Sequence, residues 1–200
     1  MSPRVSEDSP TPLGRTTAYL SFEVRLNEIR PVITRRFLLS KTATFRDLHE
    51  AIQDAFGWRN VHGWLFYENA LKPPLAGPPN EEDFVQPRPD ARKVKVASFF
   101  REDGPAKCRY VYDFGEEWEH EVRYAGIVRK AEKFRRQLVT GARACPPEDC
   151  GGIDGYETCV QLVRGKLRTS PAERKELKEF LGDWDPERFE LEEVKKSFDR

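Results

Sequence analysis

Apolar and polar residues alternate on both sides of a short acidic turn near the middle of the chain. The apolar positions of these two runs are Tyr110, Tyr112, Phe114, Trp118, Val122 and Tyr124. Because successive side chains of a strand point to opposite faces, this period of two predicts a β-hairpin with one face in a core. Gly115 gives the turn the backbone freedom that such a connection needs.

Similar patterns predict two strands, a helix and a third strand in the N-terminal half. Alternation over residues 19–26 and 33–39 predicts the first two strands. Thr44 then has the character of a helix N-cap, apolar residues recur at the helical period, and Gly57 ends the helix. A further strand is predicted over residues 63–67. This order is typical of the beginning of a β-grasp fold, by analogy of topology alone.

Helix signals dominate the C-terminal part. Asp154 with Glu157 predicts one capped helix start, and Ser170, followed by Pro and Glu, predicts a second. Residues 185–198 predict a final short helix. By contrast, residues 72–90 contain six prolines, which predicts a long surface loop because proline cannot donate to regular backbone hydrogen bonds.

Together these elements predict an α+β fold. We expect a single domain over residues 17–200, with a mostly antiparallel sheet, a β-grasp-like N-terminal part and helices clustered toward the C-terminus. A chain of 200 residues is long enough to bury a sizeable core. Residues 1–16 hold Ser, Pro, Thr and charge with almost nothing apolar, which predicts a disordered tail.

Charge and cysteine content narrow the class of protein. Lys plus Arg and Asp plus Glu each number 34, so the chain lacks the overall basic excess that is typical of nucleic-acid-binding proteins. It also lacks an apolar run long enough for a membrane span and the apolar core of a signal peptide, so we expect no membrane partner. The four cysteines are then expected to be reduced thiols in a cytoplasmic protein.

Several sequence blocks resemble one known family. They are RPVITRR (30–36), DLHEAIQ (47–53), FGW (56–58), YVYDFGEEWEH (110–120), ACPPEDCGGIDGYE (144–157) and GDWDPERFEL (182–191). These blocks span roughly residues 19–198 and are similar to the plasmid pRiA4b ORF-3-like family. The resemblance implies the fold class and an association with mobile elements, and it implies no established reaction. One departure is Thr34, where the family usually carries Trp.

An acidic group with one histidine is the first candidate for chemistry. If the fold joins the two acidic turns, Asp113, Glu117, His120, Glu148 and Asp149 could hold a hard cation, and the metal-bound water could attack a phosphoester. The alternative is that these aspartates bind turn amides and the glutamates face water. No metal-binding spacing supports the first hypothesis, so the alternative is favoured.

Two more histidines, an indole and two arginines are candidates for ligand binding. His49 and His62 match family positions and could converge on a pocket, although each alone is more often structural. Trp58 could stack on a base, and Arg35 and Arg36 could contact phosphate. Adjacent residues of a strand point to opposite faces, so both arginines cannot face one ligand.

The pair Cys145 and Cys150 has a spacing that permits zinc binding, with Cys108 or Cys159 as a further ligand. A nucleophilic cysteine would need a base, and His120 is the obvious one. A single such pair is a weak signal. The favoured interpretation is a rigid Pro-Pro loop whose glycines permit close approach to a neighbouring segment.

The residues are compatible with three functions. The first is a non-catalytic interaction module that binds an unknown protein or small molecule near the Asp113 turn and the Cys145 loop. The second is a metal-dependent hydrolase or nuclease built on the acidic group. The third is an accessory protein that binds nucleic acid through a local basic cluster within residues 129–136. The residues identify no cofactor, and a divalent metal is not the favoured hypothesis.

Overall fold

The computed structural model describes residues 16–79 and 87–199, and across these ranges seven strands and five helices form. The predicted tail lies outside the described residues, apart from Thr16. The strands are β1 (Thr17–Leu26), β2 (Thr34–Ser40), β3 (Trp64–Tyr67), β4 (Pro74–Ala76), β5 (Lys107–Tyr112), β6 (Trp118–Lys130) and β7 (Arg136–Ala142). The helices are α1 (Phe45–Phe56), α2 (Val96–Phe99), α3 (Gly152–Val163), α4 (Pro171–Leu181) and α5 (Leu191–Phe198).

All seven strands belong to one sheet with the order β4-β3-β5-β6-β1-β2-β7, and each pair of neighbours is antiparallel. The α+β class with a mostly antiparallel sheet is therefore confirmed, and three of the five described helices lie in the C-terminal half. The chain order β1-β2-α1-β3 is the order that the sequence predicts. In the sheet, however, β5 and β6 lie between β1 and β3.

One face of the sheet and α1 share the main core. Alternate side chains of β1 are fully buried there, as are the apolar side chains along one side of α1. The deepest members of this core include Phe22, Val24, Ile33, Phe37, Phe45, Leu48, Ile52 and Phe66. Burial on this scale is the dominant favourable contribution to the stability of a domain.

Helix α1 begins and ends where the sequence predicts. The Thr44 hydroxyl accepts a hydrogen bond from the Asp47 amide at 3.2 Å, and the Asp47 carboxylate accepts one from the Thr44 amide at 2.7 Å. This reciprocal pair satisfies two amides that have no partner inside the helix. Gly57 ends the helix with φ +84°, a left-handed conformation that favours glycine.

The central hairpin is confirmed, but it is longer than the pattern indicates. Tyr112 faces Trp118 and Tyr110 faces His120 across the β5–β6 pair. Strand β6 then continues to Lys130, and β7 follows it as an edge strand that the sequence analysis did not predict. Side chains in the second half of β6 are exposed or half-buried. Without a buried face, a strand leaves no alternating signal.

Two local predictions need correction. The proline-rich segment contains β4, which pairs with β3 and contributes the buried Ala76, so it is not wholly a surface loop; its residues 80–86 lie outside the described ranges. Helix α3 begins at Gly152 after a left-handed Gly151 and has no side-chain cap, so the predicted Asp154 capping box is wrong. A left-handed glycine, rather than a polar cap, turns the preceding loop into this helix.

The Ser170 capping box of α4 is confirmed, and it includes Pro171 in the first turn. Along this helix Leu181 is buried, whereas Phe180 is 48% exposed. The last helix is shorter than expected and begins at Leu191. Within the described residues, no helix combines the length and apolar character that crossing a bilayer requires.

Candidate functional site

Three loops meet at the turn end of the central hairpin, and each brings one potential metal ligand. His62 comes from the loop after α1, Asp113 from the turn after β5, and Asp149 from the loop before α3. One ligand atom from each residue lies within 4.8 Å of the other two. The His62 Nε2 atom is 2.9 Å from Asp149 Oδ1 and 3.6 Å from Asp113 Oδ2. Within the described residues this is the one group of three such ligands.

The two carboxylate oxygens of Asp113 have different roles, one in the turn and the other facing His62. Its backbone is left-handed, with φ +57°, a conformation that aspartate tolerates better than most residues. Its Oδ1 atom accepts hydrogen bonds from the amides of Gly115 at 2.9 Å and Glu116 at 3.4 Å. Its Oδ2 atom faces His62. The role in the turn therefore leaves one carboxylate oxygen available for a ligand.

Asp149 and Glu148 extend the group from the third loop. Asp149 accepts a hydrogen bond from His62 through Oδ1 and one from the Arg59 guanidinium, at 3.0 Å, through Oδ2. Glu148 accepts hydrogen bonds from the Tyr112 hydroxyl and from the Arg59 amide. Its Oε1 atom is 4.0 Å from His62 Nε2. Three carboxylates thus surround one imidazole.

A mixed set of one imidazole and two carboxylates suits a divalent cation of intermediate softness. Imidazole nitrogen favours Zn²⁺ and related ions, whereas carboxylate oxygen favours Mg²⁺, Ca²⁺ and Mn²⁺. Zn²⁺ and Mn²⁺ accept both types of ligand. A metal on His62 Nε2 would displace the proton that this atom donates to Asp149.

Hydrogen bonds hold the Asp149 loop against the other two segments. The indole N–H of Trp58, which is buried and stacked on Tyr112 with ring centroids 5.0 Å apart, donates to the Pro146 carbonyl at 3.1 Å. The Glu116 carboxylate accepts from the Gly151 amide at 2.6 Å and from the Trp118 indole at 2.8 Å. Trp58 therefore positions the site from within the core and has no free ring face for a base.

A second network holds the loop that carries His62. The buried His49 contacts the Asn60 side-chain oxygen through Nε2 at 2.7 Å and the Tyr110 hydroxyl through Nδ1 at 2.8 Å. Because an amide oxygen only accepts, the proton of His49 lies on Nε2. Gln53 donates to the same hydroxyl and accepts from the Asn60 amide. Burial lowers the pKa of His49 to about 3, so this histidine is a neutral structural residue.

His120 and Glu117 do not join the group. His120 is fully buried, and its Nδ1 atom donates to the Trp118 carbonyl at 3.0 Å. Its ring packs edge-on against Phe56 and Trp58. Burial lowers its pKa to about 4. Glu117 is exposed on the turn, where its amide donates to the Asp113 carbonyl at 2.6 Å.

The two candidate arginines have opposite environments, as the strand geometry predicts. Arg35 is 2% exposed and donates to backbone carbonyls, including Ala55 at 2.6 Å and Arg143 at 2.9 Å. Its guanidinium also lies over the Phe189 ring, 4.1 Å from the centroid. Arg36 is exposed on the other face of β2. Arg35 is therefore a structural residue of the core that offers no surface to a phosphate.

The candidate cysteines are not members of the His62 group, although Cys150 directly follows Asp149. Cys145 Sγ is 3.2 Å from a nitrogen of Arg35, and burial raises the pKa of the thiol to about 11. Cys150 is half-buried, and burial raises its pKa to about 12. In the part of the chain that the structure describes, neither belongs to a group of three potential metal ligands. The environment of both thiols disfavours the thiolate that metal binding and nucleophilic attack require.

Sequence reasoning missed Tyr112, Arg59 and Asn60 as supports of the site. The alternating pattern places Tyr112 on the buried hairpin face, and a buried phenol needs a hydrogen-bond partner. Its hydroxyl donates to Glu148 and accepts from the Val61 amide at 3.2 Å, so it links two of the three loops. Arg59 and Asn60 carry no comparable signal, because their roles depend on contacts between distant segments.

The family model described as plasmid pRiA4b ORF-3-like protein matches residues 18–193 of the chain. The protein belongs to this family. A relative from Sinorhizobium fredii (strain NBRC 101917 / NGR234), the uncharacterized protein y4hQ, is 34% identical over 142 residues, which cover 70% of this chain and 71% of that protein. This pRiA4b ORF-3-like chain is also similar to a solved crystal structure.

That structure is of the protein of unknown function MM3350 from Methanosarcina mazei Go1. Its TM-score is 0.76 and its identity 30%, over 88% of this chain and 96% of that one. The resemblance drawn from the sequence blocks is thus confirmed. The first of these proteins is similar to the chain in sequence, and the second is similar in sequence and fold. Their names state no activity, so the function has to be argued from the site.

Proposed function

We propose that this protein is a non-catalytic binding module that takes a divalent cation, Mn²⁺ or Zn²⁺, at His62, Asp113 and Asp149. The observation that supports the proposal is the convergence of three ligand atoms, from three separate loops, within 4.8 Å of one another. Hydrogen bonds with Trp58 and Tyr112 hold two of these loops in place. Such support from outside the ligands is typical of sites whose geometry matters.

The surrounding groups favour binding over chemistry. Glu148 is engaged by the Tyr112 hydroxyl and the Arg59 amide, and His120 is enclosed in the core. A bound cation would offset the three carboxylates around His62 and join the three loops. The proposed consequence is a rigid surface at this end of the hairpin, ready to receive a protein or small-molecule partner.

A thermal-shift series tests the proposal. At a free concentration one hundred times its Kd, a ligand that binds only the folded state adds about 2.7 kcal/mol. For a chain of this length, that stabilisation raises the Tm by roughly 5–10 °C. We expect this rise with Mn²⁺ or Zn²⁺ and its reversal by a chelator. The double variant His62→Ala/Asp149→Asn should lose the rise, and Glu117→Gln, an exposed turn carboxylate outside the group, should keep it. An equal rise in all three proteins would contradict the proposal.

Two tyrosines on the same face of β5 can each be changed to phenylalanine. Comparing the two variants distinguishes a loss of support for the metal site from a general loss of stability. Tyr112→Phe removes the link between the His62 and Glu148 loops, so we expect metal affinity to fall by about tenfold, within the range for the loss of outer supports. Tyr110→Phe removes a buried hydroxyl that contacts His49 and Gln53. It should lower stability by about 1–3 kcal/mol and reduce metal affinity less than Tyr112→Phe. Isothermal titration calorimetry with Mn²⁺ measures the metal affinity of both variants. Equal affinity losses would contradict the proposed role of Tyr112.

A metal-dependent hydrolase is the second candidate, and the position of Glu148 favours it. This carboxylate lies 4.0 Å from His62 Nε2 and outside the group of three ligands, where a general base for a metal-bound water would lie. Hydrolysis of bis(4-nitrophenyl) phosphate by the Mn²⁺-loaded protein tests this candidate. Metal-dependent turnover that Glu148→Gln abolishes would favour the hydrolase. Metal binding without turnover would favour the binding module.

A further inference from the structure

Basic side chains collect at the end of the sheet that is farthest from His62. The Asp113 turn precedes β6 and the β6–β7 turn follows it, so the two lie at opposite ends of this 13-residue strand. At about 3.3 Å per residue, the separation is roughly 40 Å. The cations at the far end, which we call the basic rim, are Lys41, Lys95, Arg129, Lys130, Lys133 and Arg135.

Backbone contacts bring these residues together from three segments. The Ser40 amide donates to the Arg135 carbonyl at 2.9 Å, which places the β2–α1 turn beside the β6–β7 turn. The Lys95 ammonium donates to the Thr42 carbonyl in the same turn at 2.7 Å. Lys130 is the last residue of β6 and pairs with the first residue of β1. Because the rim lies where the strands end, side chains from both faces can reach one extended ligand that lies across it.

The rim carries more positive than negative charge, with six cations against the carboxylates of Asp47 and Glu132, although the chain as a whole is neutral. Within the described residues, no carboxylate lies within 4.0 Å of the cationic nitrogens of Lys41, Lys95, Arg129, Lys130 or Lys133, and only Arg135 has such a partner, Asp47 at 3.2 Å. Elsewhere on the sheet, Lys107 is paired with Glu121 at 2.7 Å and Arg25 with Glu23 at 2.5 Å. Uncompensated like charges repel one another, so a polyanion that spans them would be favoured.

The rim is also ordered, which reduces the entropic cost of binding. The Tyr19 hydroxyl accepts from the Phe134 amide at 2.9 Å and donates to the Glu132 carbonyl at 3.1 Å. The rings of Tyr19 and Phe134 stack with centroids 3.9 Å apart. These contacts fix the β6–β7 turn, and no large apolar side chain between residues 128 and 136 is exposed. A surface that inserts into a membrane would present apolar side chains at this place.

We propose that the basic rim binds the phosphate backbone of nucleic acid without reading its bases. The regularly spaced negative charges of a phosphate backbone match a row of lysines and arginines that extends across the end of the sheet. Contacts with phosphate carry no sequence information. The rim is separate from the cation site, so this interaction does not depend on the proposed metal function. Its occupant is a polyanion, whereas the carboxylates around His62 receive a cation.

Fluorescence anisotropy with a labelled 20-nucleotide single strand and a 20-base-pair duplex tests the proposal at several KCl concentrations. We expect salt-dependent binding by the wild-type protein. The variant Arg129→Gln/Lys130→Gln/Lys133→Gln should bind at least tenfold more weakly at low salt, and its slope of log K against log salt should fall by about 2–3, since each phosphate contact contributes about 0.7–0.9. The single variant Lys133→Glu, at an exposed turn position, should weaken binding in the same direction.

The matched control is Lys166→Gln/Lys175→Gln/Lys178→Gln, which removes the same charge from exposed positions on α4 and the turn before it. It should bind within twofold of the wild type. Equal losses in the two triple variants, or wild-type binding that does not depend on salt, would overturn the proposal. So would association with phosphatidylcholine–phosphatidylserine vesicles in the absence of oligonucleotide binding, which would assign the rim to a membrane surface.

Discussion

Replacing Arg35 with Met is expected to lower the free energy of unfolding by about 3–5 kcal/mol. The guanidinium donates to four backbone carbonyls, those of Thr34, Ala55, Ala142 and Arg143, and these groups come from three separate segments. Methionine keeps much of the apolar stem but cannot donate, so buried carbonyls would lose their partners. An unpaired buried acceptor costs its desolvation free energy.

The neighbouring Arg36→Met is the matched control, because it makes the same chemical change on the exposed face of the same strand. Surface substitutions of this kind usually change stability by less than about 0.5 kcal/mol. Urea denaturation of both variants and the wild type measures the difference. Similar losses for the two variants would contradict a structural role for Arg35 and would reopen its candidacy for ligand binding.

Acidification from pH 7.5 to 5 is expected to lower stability by about 2–4 kcal/mol through His49 and His120. Burial lowers the pKa of these side chains to about 3 and about 4, whereas the unfolded chain titrates near 6.5. Below about pH 6.5 these two imidazoles bind protons in the unfolded state but stay neutral in the folded state. The free energy of unfolding therefore falls as the pH falls, and this contribution levels off only near the folded pKa values.

The variant His120→Phe should lose about half of this pH dependence, since it removes one of the two buried imidazoles at similar volume. Phe56→Leu alters a neighbour that packs on the His120 ring with centroids 5.0 Å apart but does not titrate. It should lower stability equally at pH 7.5 and pH 5. Chemical denaturation at five pH values in this range gives the slope of the free energy of unfolding against pH for each variant. A slope in His120→Phe equal to that of the wild type would rule out His120 as a source of the acid sensitivity.

Local patterns predicted the elements that bury an apolar face or carry a cap. Helix α1, the β5–β6 hairpin and the α4 start all combine such a pattern with a recognisable terminus, so they are visible in the chain itself. The second half of β6 lacks a buried face, β7 buries only Arg136 and Leu138, and β4 is hidden in a proline-rich segment. These elements depend on pairing with distant strands, and no local signal reports that pairing.

The site was predictable only in part, because it too depends on contacts between distant segments. Asp113, Asp149 and His62 were each identified from composition and from the family blocks, but the sequence assigned His62 to a possible histidine pocket and His120 to the acidic group. In the structure these two histidines are interchanged, because the buried face of the hairpin points into the core. His120 points into the core with Trp118 and Tyr110, while the loop after α1 delivers His62 to the turn. Only the packing of α1 on the sheet decides between the two histidines.

The most direct test of the proposed cation site is diffraction from crystals of the protein grown with Mn²⁺ and measured at the manganese absorption edge. We predict one strong anomalous peak within about 2.3 Å of His62 Nε2, Asp113 Oδ2 and Asp149 Oδ1. Crystals of His62→Ala/Asp149→Asn grown in the same way should lack it. A map with no peak at these atoms, or with a peak at Cys145 and Cys150 instead, would contradict the proposal.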